Sequence, residues 1–197
     1  MNTNADTNTN MNTGANANTD ATVATATNVN AITDATATAN ADANATANVS
    51  FPCGRNGIEV LLPHRDPFIW LSRILECTPG ERIVAELDVN PSLELFQGHF
   101  PTYPVLPGVI LMEALAQTAS CCLLAQKNLA GSVGFLTGID KAKFRKQVRP
   151  GDTVRLEANI TRNNKRMCAA DVAAYVEGEL CASASQKYVI ARETTED

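Results

Sequence analysis

The sequence predicts an α+β fold in which an antiparallel sheet wraps around one long central helix, and three observations carry that expectation. Residues 108–126 are rich in Ala, Leu, Met and Gln, good helix formers. Between Val109 and Gln126 their one formal charge is Glu113, so the helix shows no solvent face and has to be buried on all sides. Two strand-like stretches precede it and four follow, the layout of a sheet that encloses a helix.

Residues 1–50 stand apart. They are built almost wholly from Asn, Thr, Ala and Asp, with no Lys or Arg. Such a segment buries too little to offset an ordering cost of about 1–2 kcal/mol per residue, and it is expected to be a disordered tail. It has neither the basic start and apolar run of a secretory signal nor the arginines of a transit peptide. Residues 51–197 form the expected single domain.

Within that domain, Ile58, Val60, Leu61 and Leu62 read as a short helical turn stopped by Pro63. A strand is expected over 68–75. The Thr78-Pro79-Gly80-Glu81 turn then leads into 82–89, where Ile83, Ala85, Leu87 and Val89 alternate with more polar residues, so the two strands pair as a hairpin. Residues 90–106 are rich in Pro and Gly and read as a loop. Pro107 suits the first turn of the helix. Strands over 133–139, 153–161, 167–177 and 180–190, with turns at Arg149-Pro150-Gly151-Asp152, Asn163-Asn164 and Glu177-Gly178-Glu179, read as a meander.

Composition narrows the function. The chain has 21 acidic and 16 basic residues; without the four aspartates of the tail, 17 acidic face 16 basic, so the domain is nearly neutral. That argues against nucleic-acid binding as its main work. Six cysteines form no Cys-x-x-Cys pair, and two histidines accompany them, so neither a zinc site nor a disulfide framework is indicated, and free thiols in a reducing cytoplasm are expected. No stretch reaches the ~20 apolar residues of a membrane helix.

Three features fall within 98–113. A carboxylate at Glu113, in the second turn of an apolar helix, is expected to be desolvated, which favours the protonated form that a general acid needs; a structural ion pair or a helix-dipole role is the alternative. His99 lies between Gly98 and Pro101 and can take a proton. Pro107-Gly108-Val109 opens the helix, where the first N–H groups lack internal partners and glycine lets a ligand come close. Base, acid and oxyanion-binding helix end fit proton abstraction beside a carbonyl, with loss or gain of a neighbouring hydroxyl.

Five ordered segments resemble the FabZ-type (3R)-hydroxyacyl-acyl carrier protein dehydratases: Leu62-Pro63-His64-Arg65-Asp66-Pro67-Phe68, Phe96-Gln97-Gly98-His99-Phe100-Pro101, Pro104-Val105-Leu106-Pro107-Gly108-Val109, Glu113-Ala114-Leu115-Ala116-Gln117 and Gly138-Ile139-Asp140-Lys141-Ala142-Lys143-Phe144. The resemblance implies a hot-dog fold, dehydration of (3R)-hydroxyacyl to trans-2-enoyl chains in fatty acid biosynthesis, and catalysis by His99 and Glu113 without metal or cofactor. It implies a site shared across a homodimer, His99 of one subunit facing Glu113 of the other, with dimers commonly assembling into hexamers. The residues alone leave that open, since Glu113 lies about 9 Å along the helix from Pro107 and the loop could fold back within one chain.

On the same reading Gly108 and Val109 meet the thioester, and Phe100, Phe135, Ile139 and Phe144 line an acyl tunnel or serve as ordinary core. Lys141, Lys143, Arg145, Lys146 and Arg149 receive an acidic acyl carrier protein bearing a phosphopantetheine-linked chain, or form a solvated edge. His64 reads as a structural or dimer-contact residue. Asp66 and Thr102-Tyr103 depart from the usual family pattern, which leaves acyl-chain preference open. Glu rather than Asp at position 113 favours the FabZ pattern over the isomerising FabA pattern. The competing readings are a hot-dog acyl thioesterase and a non-catalytic binding module.

Overall fold

In the computed structural model, residues 49–164 and 167–192 are described. The expectation for the tail falls outside them, apart from Val49 and Ser50. A short helix α1 (Arg55–Leu61) buries Ile58 and Leu61. The hairpin β1 (Arg73–Thr78) and β2 (Arg82–Asp88) follows, then a 3-10 turn at Glu94–Gln97, the helix α2 (Gly108–Leu124), and β3 (Ser132–Phe144), β4 (Thr153–Asn163), β5 (Met167–Val176) and β6 (Glu179–Arg192). The six strands form one antiparallel sheet in the order β1-β2-β4-β5-β6-β3. No helix among the described residues is long and apolar enough to cross a membrane.

The alternation read from the sequence sets which face is inward. Val154, Leu156 and Ala158 on β4 and Cys168, Ala170, Val172, Ala174 and Val176 on β5 are buried, with their neighbours turned outward. Many of these inward side chains are small, which leaves room for α2 against the sheet. From Leu111 to Leu124 every α2 residue but Glu113 is buried. At about 25 cal/mol per Å² of apolar surface, this shared core is the main stabilising term.

Two turns show their chemistry directly. At Thr78-Pro79-Gly80-Glu81 the Glu81 N–H reaches the Thr78 carbonyl, Gly80 takes φ +78°, and its N–H bonds the Cys122 carbonyl at 2.9 Å, tying the hairpin to the end of α2. Between β5 and β6, Glu177 (φ 53°) and Gly178 (φ 79°) are both left-handed, the two-residue hairpin turn that matches strand twist.

Three expectations are corrected. The last four strands are not a simple meander: β3 pairs with β6 at the sheet edge, and β4 pairs with β2. The Arg149–Asp152 turn exists, with Asp152 N–H bonded to the Arg149 carbonyl at 3.1 Å, but it ends a connection too long for a tight hairpin. That connection is anchored where Val148 accepts from Leu106 N–H and Gly151 donates to Val89.

The first strand starts at Arg73, not at 68, because the Phe68 carbonyl and Trp70 N–H are bonded to the Gln117 side chain instead of to a ladder. Finally, α2 does have an open stripe at its start: Val109 is 74% exposed and the Glu113 side chain 24%.

Candidate active site

The loop that carries His99 is held at both ends. His99 N–H donates to the Leu95 carbonyl at 2.9 Å, while Val105 N–H donates to the His99 carbonyl at 3.1 Å. Leu106 N–H then fastens the loop to Val148 at 2.8 Å. The imidazole is oriented by the same neighbour, Nδ1 lying 2.8 Å from the Val105 carbonyl oxygen. A carbonyl can only accept, so Nδ1 carries the proton and Nε2 is left with a lone pair. Phe100 stacks on the ring at 4.2 Å between centroids. The loop and its own carbonyl thus fix the ring with Nε2 unbonded among the described residues.

The start of α2 stands beside it. Pro107 accepts from Ile110 and Leu111, at 3.0 and 3.2 Å, leaving the Gly108 and Val109 N–H groups without an acceptor among the described residues. The Phe144 ring packs over Gly108, where a Cβ would meet it at 2.7 Å and have to push it aside. His99, Gly108, Val109 and Phe144 line one cavity of about 430 Å³, together with Val105, Leu106, Leu111, Arg145, Lys146, Gln147 and Val148. A base with a free lone pair, two open amides and an apolar wall thus share one space.

Glu113 does not line that cavity. Its Oε1 accepts from Gln117 Nε2 at 3.0 Å and lies 3.8 Å from His64 Nε2. Only a quarter of the side chain is exposed, with Gln117 and His64 on one side and the open Val109 stripe on the other. Gln117 itself is 1% exposed, and its amide bonds Phe68, Trp70 and Glu113. Gln117 closes the Glu113-Ala114-Leu115-Ala116-Gln117 segment, which carries no role for it in the sequence; its i,i+4 spacing from the lone helix carboxylate is the signal of this contact.

The remaining candidates divide. Phe144 lines the cavity and Phe100 caps the imidazole, but Phe135 and Ile139 do not line it; they are exposed on β3, at 55% and 41%. Among the cations, Arg145 and Lys146 border the cavity. Lys146 pairs with Glu179 at 2.9 Å. Arg149 donates to the Tyr103 hydroxyl at 2.5 Å with its guanidinium 4.9 Å from the ring centre, and Tyr103 donates to Gln147 at 2.7 Å. The unusual Tyr103 therefore sits in a cluster at the cavity rim, a grouping that sequence spacing did not reveal. Lys141 and Lys143 are exposed on β3.

The FabA-like domain family matches residues 62–185. A 3-hydroxyacyl-[acyl-carrier-protein] dehydratase FabZ of Oenococcus oeni is 43% identical over 133 residues, covering 68% of this chain and 96% of that protein. A bifunctional enzyme LpxC/FabZ of Chlorobaculum tepidum is 46% identical over 131 residues, 66% of this chain, which spans 28% of that longer protein. A dehydratase heterocomplex, ApeI:P from Xenorhabdus doucetiae, superposes with a TM-score of 0.59 at 14% identity, over 69% of this chain and 91% of that one, which supports the hot-dog fold. Fold, ordered motifs and near full-length likeness to FabZ dehydratases converge: the chain belongs to the FabA-like family, on its FabZ side.

Proposed function

We propose that this chain dehydrates (3R)-hydroxyacyl groups carried on acyl carrier protein to trans-2-enoyl groups in cytoplasmic fatty acid biosynthesis, in a site shared by two copies. The observation that carries the reading is the fixed tautomer of His99, with Nε2 free in the wall of the cavity that also holds the Gly108 amide. His99 Nε2 takes the α proton of the thioester. The electron pair moves toward the thioester oxygen, which the Gly108 N–H steadies as charge develops. Glu113 protonates the β-hydroxyl, the C–O bond breaks, and water leaves as the double bond forms. The His99 proton and the Glu113 charge are then reset through solvent. No step requires a metal or redox cofactor.

Two copies are invoked because the cavity has a base and oxyanion site but lacks its own Glu113, while Glu113 borders an open stripe of α2. The long edge strand β3, with Phe135, Leu136 and Ile139 exposed, suits pairing with a second β3. Assembly into a trimer of such dimers belongs to the same reading.

The test is complementation. His99→Ala and Glu113→Gln should each lose at least ~10² in turnover of a 3-hydroxyacyl thioester, with the fold intact. Co-expressed, the two inactive chains should regain activity, since a mixed dimer contains one intact site. Full activity in either single variant removes the catalytic assignment; inactive singles without complementation remove the shared site.

A further inference from the structure

His64 is left unexplained by the mechanism above. Its Nε2 lies 3.8 Å from Glu113 Oε1, and the two side chains are similarly shielded, at 26% and 24% exposure. Its other nitrogen, Nδ1, is buried with no hydrogen-bond partner among the described residues. A buried N–H without an acceptor is costly, so the proton is better placed on Nε2, the nitrogen that faces the carboxylate. The ring then points that N–H toward the carboxylate.

The segment that carries His64 is braced. Arg65 Nη1 donates to the carbonyls of Leu62 and His64, at 2.9 and 2.6 Å, and Phe68 N–H closes the turn onto the Arg65 carbonyl at 2.8 Å. Arg55 spans the outside, bonding Glu59, Asp66 and the Ile69 carbonyl. The Phe68 ring lies parallel to the imidazole at 6.0 Å. So much bracing fixes where Nε2 points. Across from it, Gln117 Nε2 reaches the same carboxylate oxygen at 3.0 Å. Both donors address Oε1, leaving Oε2 without a partner among the described residues.

We propose that His64 is a positioning residue for Glu113: with Gln117 it holds Oε1 so that Oε2 carries the transferable proton toward the substrate hydroxyl. The separation of 3.8 Å is beyond hydrogen-bond length and too short for an intervening water. It closes when substrate packs the site, as catalytic contacts that are long in the free enzyme do. This inference rests on the assignment of Glu113 as the acid.

Within one copy, among the described residues, His64, on the segment after α1, and Tyr188, on β6, are the titratable groups set against Glu113; in the shared site the second copy adds His99, which as the base acts at the acidic end of the profile. Burial first, and then the charge of Glu113, push the Tyr188 hydroxyl above its ordinary range, so Tyr188 stays neutral across the working pH. The Gln117 amide does not titrate. A change in the alkaline limb of the pH profile on altering His64 therefore reports on Glu113.

The experiment compares full-length His64→Leu, His64→Gln and Glu113→Gln, with a 3-hydroxybutyryl thioester of N-acetylcysteamine as substrate and thermal unfolding as a control. His64→Leu should lower kcat about tenfold with KM little changed. Its alkaline limb should move to higher pH, because a carboxyl group that loses a donor to its charged form holds its proton longer. His64→Gln, which can offer an amide N–H near the position of Nε2, should recover most of kcat and the original limb. If Glu113→Gln is inactive while His64→Leu keeps kcat and the alkaline limb, the positioning role falls and the acid assignment stands. The role also falls if His64→Gln and His64→Leu lose kcat equally. If Glu113→Gln is fully active, both readings fall together. A His64→Leu chain that unfolds leaves the decision to His64→Gln, whose limb and kcat must match the parent.

Discussion

Glu113 and Gln117, one helical turn apart, are joined by a 3.0 Å hydrogen bond from Gln117 Nε2 to Glu113 Oε1. The same buried amide accepts from Trp70 N–H at 2.9 Å and donates to the Phe68 carbonyl at 2.8 Å. One side chain thus fixes both the carboxylate and the entry to β1. Replacing it by Met keeps the volume but strands two backbone groups, each worth about 1–3 kcal/mol when buried and unsatisfied. Gln117→Met should therefore lose stability in urea denaturation by roughly that amount per group and lose kcat as well, whereas a residue that only fills space would leave both unchanged.

The Gly108–Phe144 contact makes a separate prediction. A Cβ on residue 108 would sit 2.7 Å from the Phe144 ring, but that ring is 55% exposed and can swing away. Gly108→Ala should accordingly cost less than about 1 kcal/mol of stability, the range of changes that avoid core damage. Activity should fall more, up to ~10², because the ring moves within the cavity and displaces the substrate carbonyl from the helix amides. Gly108→Ala combined with Phe144→Leu should recover part of kcat/KM. Equal loss in the single and double variants would show that the ring is not responsible.

Much of this was readable in advance, and the exceptions have physical causes. The near absence of charge from 109 to 126 announced a buried helix, and residue 113 stood out because that stretch offers it no charged partner. The strand order was not readable: alternation says which face is inward but not which edge meets which, and β3 passes over β4 and β5 to reach β6. The start of β1 differs from its expectation because the backbone partners of Phe68 and Trp70 belong to a side chain 49 and 47 residues away. His64 and Glu113, also distant in sequence, meet only through the packing of the Pro63–Phe68 turn against α2.

Cys53 is half-buried beside Gly57, and burial pushes its thiol up to about 11, the Ile74 backbone N–H opposing the shift. A thiol raised in this direction is protonated below that pH, so the reactive thiolate is ~10⁻³ of the population at pH 8, against about a quarter for an ordinary cysteine. Alkylation of Cys53 by iodoacetamide, followed by mass spectrometry of the folded chain, should be about 10² slower than that of a free thiol at pH 8. It should speed up about tenfold per pH unit toward pH 11. A rate at pH 8 equal to that of unfolded protein would contradict the burial.

The five cations around β3 and the following connection are not equivalent on the carrier-protein reading. Lys146 already faces Glu179 at 2.9 Å, and Arg149 is engaged by Tyr103, whereas Lys143 is exposed and has no carboxylate partner among the described residues. An acidic carrier surface steered toward this rim should feel the uncompensated charge most. Lys143→Glu should raise KM for a carrier-protein-linked substrate severalfold, and the effect should fade as salt shortens the Debye length from about 10 Å at 0.1 M to about 3 Å at 1 M. Lys146→Ala should have the smaller effect, because it removes a charge already offset. With the N-acetylcysteamine thioester, which brings no protein surface, Lys143→Glu should leave KM unchanged. A parallel rise there would assign Lys143 to the substrate chain itself rather than to its carrier.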